Sequence, residues 1–154
     1  MKYELVVCCR LTPLQEELYR KIIKRKSREL LEEELEGKKA DTLAFITNLK
    51  KLCNHPQLIL DKCEKQEAGF EGCAALYPAD FARRPLDPLF SGKMKVLDYL
   101  LAITKRSTSD KFVLVSNYTQ TMDAFMEVRK CRWPRELIDN VFSFAMLADT
   151  PSFA

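Results

Sequence analysis

Glycine, tryptophan and histidine are scarce in this chain: four glycines, one tryptophan and one histidine among 154 residues. A lone histidine, His55, rules out a paired-histidine metal site. No segment has the glycine spacing of a nucleotide-binding loop. No apolar run approaches the roughly 20 residues that a bilayer-spanning helix needs, so no membrane partner is expected. The chain also lacks a charged-then-apolar leader. The six cysteines (Cys8, Cys9, Cys53, Cys63, Cys73, Cys131) therefore read as reduced thiols of a soluble intracellular protein, not as a disulfide framework. Charge of neither sign dominates. The formal net charge is +3, which neither demands nor excludes a polyanionic partner, so only local clustering could point to nucleic acid.

Hydrophobic residues make up 47% of the chain, enough for the core of one ordinary domain or of a piece of a larger one. Tyr3 to Arg10, "YELVVCCR", predicts a strand. The period then changes at "LTPLQEELY". Thr12 can cap a helix, Pro13 suits its first position because its missing N–H would be unpaired there, and Gln15 completes a capping box. Leu14, Leu18 and Ile22 mark its buried face, a break is expected near Ser27, and Gly37 offers a stop after the acids of residues 32–36. A second helix is predicted from Asp41, with Leu43, Ile46, Leu49, Leu52 and Cys53 toward the core and Pro56 at its end. Residues 61–90, with Gly69, Gly72, Pro78, Pro85 and Pro88, read as an ordered but irregular connection. Ser91 can cap a third helix whose apolar side is Met94, Leu97, Leu100, Leu101 and Thr104. After a polar loop from Arg106 to Asp110, "KFVLVS" (Lys111 to Ser116) resembles a strand buried on both faces of a parallel sheet, and "NYTQTMDAFMEV" returns to helical spacing. The fold class is α/β.

Four stretches invite a chemical reading. In "KLCNHP", Lys51 to Pro56, zinc would want four ligands in close pairs, and no second histidine exists; a Cys-His nucleophile pair two apart on a helix would face opposite sides. Cys53, Asn54, His55 and Pro56 are therefore read as architecture at a helix end, with no catalytic and no metal residue assigned. "FSGKMK" has Asp87 and Met94 where a phosphate loop needs Gly and Ser or Thr, so Gly92-Lys93 is a helix start. "RKIIKRKSR" gathers Arg20, Lys21, Lys24, Arg25, Lys26 and Arg28; a solvated face paired with Glu32, Glu33 and Glu34 competes with phosphate contact, and Lys24 and Arg25 are the candidates for the latter. "SNYTQT", Ser116 to Thr121, lies where a strand gives way to a helix, a place where free N–H groups and the helix dipole favour a phosphate. Turn and capping chemistry is the plainer reading, with phosphate contact behind it.

"CCRLTPLQEELY", "LKKLCNHPQLI", "SGKMKVLDYLLA" and "DKFVLVSNYTQTMDAF", in that order, resemble the sucrose-non-fermenting (Swi/Snf) class of helicase-like ATPases, and within it the Rad fifty-four branch of DNA repair and recombination translocases. The resemblance runs from Tyr3 to Val128. It implies a partial RecA-like helicase core: residues 1–60 as the end of a first RecA-like lobe, 61–90 as an inter-lobe linker, 91–128 as the strand-helix opening of a second lobe, and 129–154 as a divergent tail. It implies double-stranded DNA as partner, a recombinase filament as a second one, ATP and magnesium as cofactors of the parent motor, and the nucleus as location. "FVLVSNYTQT" resembles the fourth helicase motif, which implies DNA-backbone contact by Asn117, Thr119 and Gln120.

Phosphoryl transfer needs a phosphate cradle, a metal-holding carboxylate and a charge-stabilising arginine, and the family's motifs for these are expected before residue 1 and beyond the second lobe's opening. The chain alone is thus expected not to hydrolyse ATP. After Val128 the family's strand and Leu-Asp-Gly turn are not matched, so a junction is expected near Arg129, and the strand Phe112 to Val115 is expected to lie unpaired. A non-enzymatic truncated or spliced product that binds DNA or a protein is the alternative reading.

Overall fold

A computed structural model describes residues 2–35, 42–107, 112–132 and 141–146. Its elements are α1 (Pro13–Leu35), α2 (Thr42–Asn54), a 3-10 turn at Pro56–Ile59, the short α3 (Leu60–Glu64), α4 (Gly92–Ser107), β1 (Phe112–Ser116), α5 (Thr119–Arg132) and β2 (Val141–Met146), with further 3-10 turns at Ala74–Leu76, Phe81–Arg83 and Pro88–Phe90.

The start of α1 follows its sequence signature. The Thr12 N–H donates to Gln15 Oε1 at 3.1 Å and the Gln15 N–H to Thr12 Oγ1 at 3.4 Å, the reciprocal pairing of a capping box. Leu18 and Ile22 are fully buried and Leu14 packs beside them. The helix runs unbroken through Ser27, against the expected break, because one serine lowers helix propensity too little to interrupt 23 residues. Gly37 and Asp41 lie outside the described residues.

Residues 2–12 form no strand, and Tyr3, Leu5, Val6 and Val7 are exposed. β-propensity describes fit to a half-buried pleated surface, and no described strand lies beside this segment to provide one. In α2 the inward face is Phe45, Leu49 and Leu52; Leu43 and Ile46 are exposed, a one-sided departure from the expected stripe. In α4, Met94 is buried but Leu100 is exposed, and the helix continues through Arg106 to Ser107.

Two apolar clusters result. Leu18, Ile22, Leu52, Ile59, Cys63, Phe70 and Cys73 form the first, so the residues after α3 pack onto α1 and α2. Gly69 and Gly72 at φ 83° and 67° turn the chain tightly on either side of Phe70, a conformation that costs a side chain most. Leu86, Met94, Ala124 and Val128 form the second, with Leu58 of the 3-10 turn packed against it.

β1 pairs in parallel with β2, in the register Phe112 with Val141, Leu114 with Phe144, Val115 with Ala145 and Ser116 with Met146, interrupted by a bulge between Phe112 and Leu114. The expected unpaired strand is therefore paired, and its partner comes from the residues after Val128. Burial on both faces is also corrected: Val113 and Val115, which share a face, are 62% and 48% exposed. An apolar run shows that a strand forms but not how many layers cover it. Lys111 and residues 108–110 lie outside the described set. Among the described residues no helix is long and apolar enough to cross a membrane.

Candidate nucleic-acid interface

Pro56 forces α2 to end, and His55 just before it turns extended at φ −163°, ψ 139°, as the residue before a proline prefers. The imidazole is fully buried. Its Nδ1 accepts the Gln57 N–H at 3.1 Å, so the proton sits on Nε2, which donates to the Asp87 carbonyl at 3.0 Å. Phe81 stacks on the ring at 6.4 Å, and the Tyr77 hydroxyl donates to the Pro56 carbonyl at 3.0 Å. Both ring nitrogens are thus held by backbone groups, with none left for a metal or a nucleophile. Burial raises the pKa of the Cys53 thiol, opposed by Lys93, and keeps it in its unreactive protonated form.

Burial also pushes the His55 pKa below its ordinary 6.5, with the Asp87 carbonyl opposing. Above about pH 6.5 the ring is neutral folded and unfolded, and its contribution to stability is complete. Below that value the unfolded chain takes up a proton that the folded chain resists, so stability falls by up to about 1.4 kcal/mol per pH unit until the depressed folded pKa is reached. Urea titrations from pH 8 to about 5 should show this slope, and His55→Gln should flatten it relative to the parent chain.

Asn54, the last residue of α2, joins three elements. Its Nδ2 donates to Thr121 Oγ1 in α5 at 3.1 Å, its Oδ1 accepts from Lys93 Nζ in α4 at 3.0 Å, and its carbonyl accepts from Ser91 Oγ at 2.6 Å. Ser91 Oγ in turn accepts the Met94 N–H at 3.2 Å, the cap expected from its position. "KLCNHP" and "SNYTQT", far apart in sequence, therefore touch. Between them opens a cleft of about 750 Å³, bounded by Tyr19 of α1, Lys50 and Asn54 of α2, Lys93 of α4, and Asn117 and Tyr118 of the β1–α5 loop. Among the described residues no carboxylate lines it.

Of the residues singled out from sequence, Asn117 lines the cleft, while Thr119 and Gln120 stand exposed on the first turn of α5. Ser116 Oγ accepts the Tyr118 N–H at 3.2 Å, which shapes the loop that presents Asn117. Lys24 and Arg25 lie on α1 outside the cleft lining. Lys24 is exposed, but Arg25 pairs with Glu71 at 2.5 Å, and Lys21 Nζ donates to the Gly72 carbonyl at 2.6 Å, so part of the basic run holds the loop after α3. Sequence reasoning missed Lys50 and Lys93. The available signal was spacing: Lys50 and Asn54 are four apart on one helix face, and Lys93 follows the Ser91 cap.

Gly92-Lys93 offers no nucleotide cradle. The Gly92 N–H is taken by Gln15 Oε1 at 3.2 Å, and among the described residues no group of three His, Cys, Asp or Glu could hold a metal ion. With that N–H taken, the described donors at Gly92-Lys93 do not form a cradle for the phosphates of ATP.

Residues 1–58 match the SNF2-related domain family. The chain is 54% identical over 138 residues to the DNA repair and recombination protein RAD54-like of Gallus gallus, covering 89% of this chain and 18% of that protein. It is 53% identical to the Homo sapiens protein of the same name over 133 residues, 86% of this chain and 18% of that protein, and 41% identical to the Drosophila mojavensis one over 133 residues. Over most of its length the chain is thus similar to one stretch of the RAD54-like DNA repair and recombination proteins, and over its first 58 residues to the SNF2-related domain family. It spans less than a fifth of the length of these relatives. The matched length in the Gallus gallus comparison exceeds the Tyr3–Val128 span, so the likeness passes Val128.

Proposed function

We propose that this chain is the duplex-DNA-contacting middle of an ATP-dependent, double-stranded DNA translocase of nuclear homologous recombination, joining the end of one RecA-like lobe (residues 1–60), through residues 61–90, to the opening of a second (91–128). A recombinase filament is the protein partner the reading implies, and ATP with magnesium serves the longer motor. The observation that carries the reading is the Asn54–Thr121 hydrogen bond, which brings both motor-family motifs to the rim of one cleft that no carboxylate of the described residues lines. The exposed amides and hydroxyl of Asn117, Thr119 and Gln120 sit at the N-terminus of α5, where the helix dipole and unpaired N–H groups favour a phosphate. Such neutral donors position a backbone and read no sequence. Lys24 adds an exposed cation on α1; Arg25 would have to leave Glu71 to contribute, at little cost for a pair this exposed.

Fluorescence anisotropy with labelled duplex DNA tests the reading. Asn117→Ala and Gln120→Ala should each weaken binding about fivefold, the loss of one hydrogen bond of about 1 kcal/mol, irrespective of base sequence. Unchanged affinity in both would overturn the assignment of this loop.

A further inference from the structure

Lys50 and Lys93 face the same cleft from different helices, and among the described residues nothing acidic lines it. Lys93 is exposed, yet its ammonium is held at the rim by Asn54 Oδ1 at 3.0 Å. An ammonium has three donors, so two remain to Lys93 for oxygens in the cleft. Asn54 is neutral and leaves the charge of Lys93 whole, whereas a carboxylate at that position would cancel it. The same amide, through Nδ2, fixes Thr121 and with it the first turn of α5, beside the loop that carries Asn117.

We infer that the cleft is a seat for the phosphodiester backbone of one DNA strand, with Lys50 and Lys93 as its charged contacts and Asn54 as the residue that positions Lys93. The inference rests on the duplex-DNA reading above and adds to it a site on the other wall of the cleft. Lys50 and Lys93 supply the charge that the loop donors lack. Each phosphate neutralised by a lysine releases counterions, so each contact contributes about 0.9 to the slope of log K against log salt. Asn54 touches no phosphate and acts through Lys93 and Thr121.

The test is duplex-DNA anisotropy with the full chain across a salt series of about 50–200 mM. Lys93→Ala and Lys50→Ala should each lower the slope by about 1, and the double variant by about 2. Asn54→Asp keeps the acceptor for Lys93 but places a negative charge against it; it should reproduce the loss of Lys93→Ala and add little on top of it. A purely structural Asn54 would give losses that add. Both lysines are exposed, so circular dichroism melts of their variants should match the parent chain. Unchanged slopes in both lysine variants, with Asn117→Ala and Gln120→Ala still weakening binding, would overturn the seat and leave the duplex-DNA reading standing. Absence of any binding by the parent chain at the lowest salt would overturn both. Displacement of the duplex by magnesium-ATP below millimolar concentration, lost in Lys93→Ala, would assign the seat to a nucleotide and overturn it as a DNA site.

Discussion

Gly92→Ala should abolish the native seating of the start of α4 against residues 10–15. A methyl group built at Gly92 falls 1.8 Å from the Arg10 carbonyl oxygen and 3.0 Å from its carbon. Both obstacles are backbone, so no rotamer change relieves the overlap. The glycine is required for space: two stretches of main chain pass closer here than any Cβ allows. Moving Arg10 away would pull on Thr12, whose hydroxyl donates to the Phe90 carbonyl at 2.9 Å, and on Gln15, which accepts the Gly92 N–H. Overpacking that cannot relax, together with loss of these bonds, should cost at least about 4 kcal/mol. Denaturant titration should show a collapse of the midpoint or no cooperative transition. A variant within about 1 kcal/mol of the parent chain would show that the close approach is not maintained in solution.

Gln15→Leu should be nearly as damaging, for a different reason. Gln15 is fully buried, and its side chain satisfies main-chain groups of three separate segments. Nε2 donates to the Leu52 and Cys53 carbonyls at 2.9 and 3.2 Å, while Oε1 accepts from the Thr12 and Gly92 N–H groups. Leucine fills similar volume and leaves these backbone groups without partners. At about 1–3 kcal/mol for each buried orphan, partly relieved by relaxation, the expected loss is about 3–5 kcal/mol. Gln15→Glu separates the two halves of the role. It keeps the acceptor but places a charge without exposure against two carbonyls, so its stability should recover toward acid pH as the carboxyl takes up a proton. Chemical denaturation of both variants at neutral and mildly acidic pH measures this difference.

Local patterns in the chain carried over well to local structure. Thr12, Pro13 and Gln15 announce a helix start, and Ser91 another, because capping depends on residues within one turn. The period-four apolar stripe of α1 is equally local. What could not be read was the far partner of each motif: that Gln15 reaches α2 and α4, that His55 bonds Asp87, or that Asn54 meets Thr121. Such bonds are set by packing of segments dozens of residues apart. The same reason explains the errors. "YELVVCCR" has every property of a strand except a neighbour, and "FVLVS" showed its apolar content but not that one face would be left exposed. The cleft was half legible. Asn117 stood out because strand-to-helix loops bind anions, whereas Lys50 and Lys93 looked like ordinary solvated lysines until the fold put them on one wall.

The ties around α4 also decide where this chain can bend. Its start and the two residues before it are tied to the start of α1 and the end of α2 by four directional bonds, made by Thr12, Gln15, Ser91 and Lys93, while α5 is joined to α2 through the Asn54–Thr121 bond, to the segment before α4 through the Leu86 N–H donated to Glu127 Oε1 at 3.1 Å, and to α4 by apolar contacts that tolerate sliding. A swing of the β1–α5–β2 unit against α1 would therefore pivot within α4 beyond Met94 and release two latches at its outset, Asn54–Thr121 and Leu86–Glu127. Tyr77, Asp87 and Phe90, bonded to Pro56, His55 and Thr12, would stay with the first body as a bracket, while Leu86 between them packs against α5.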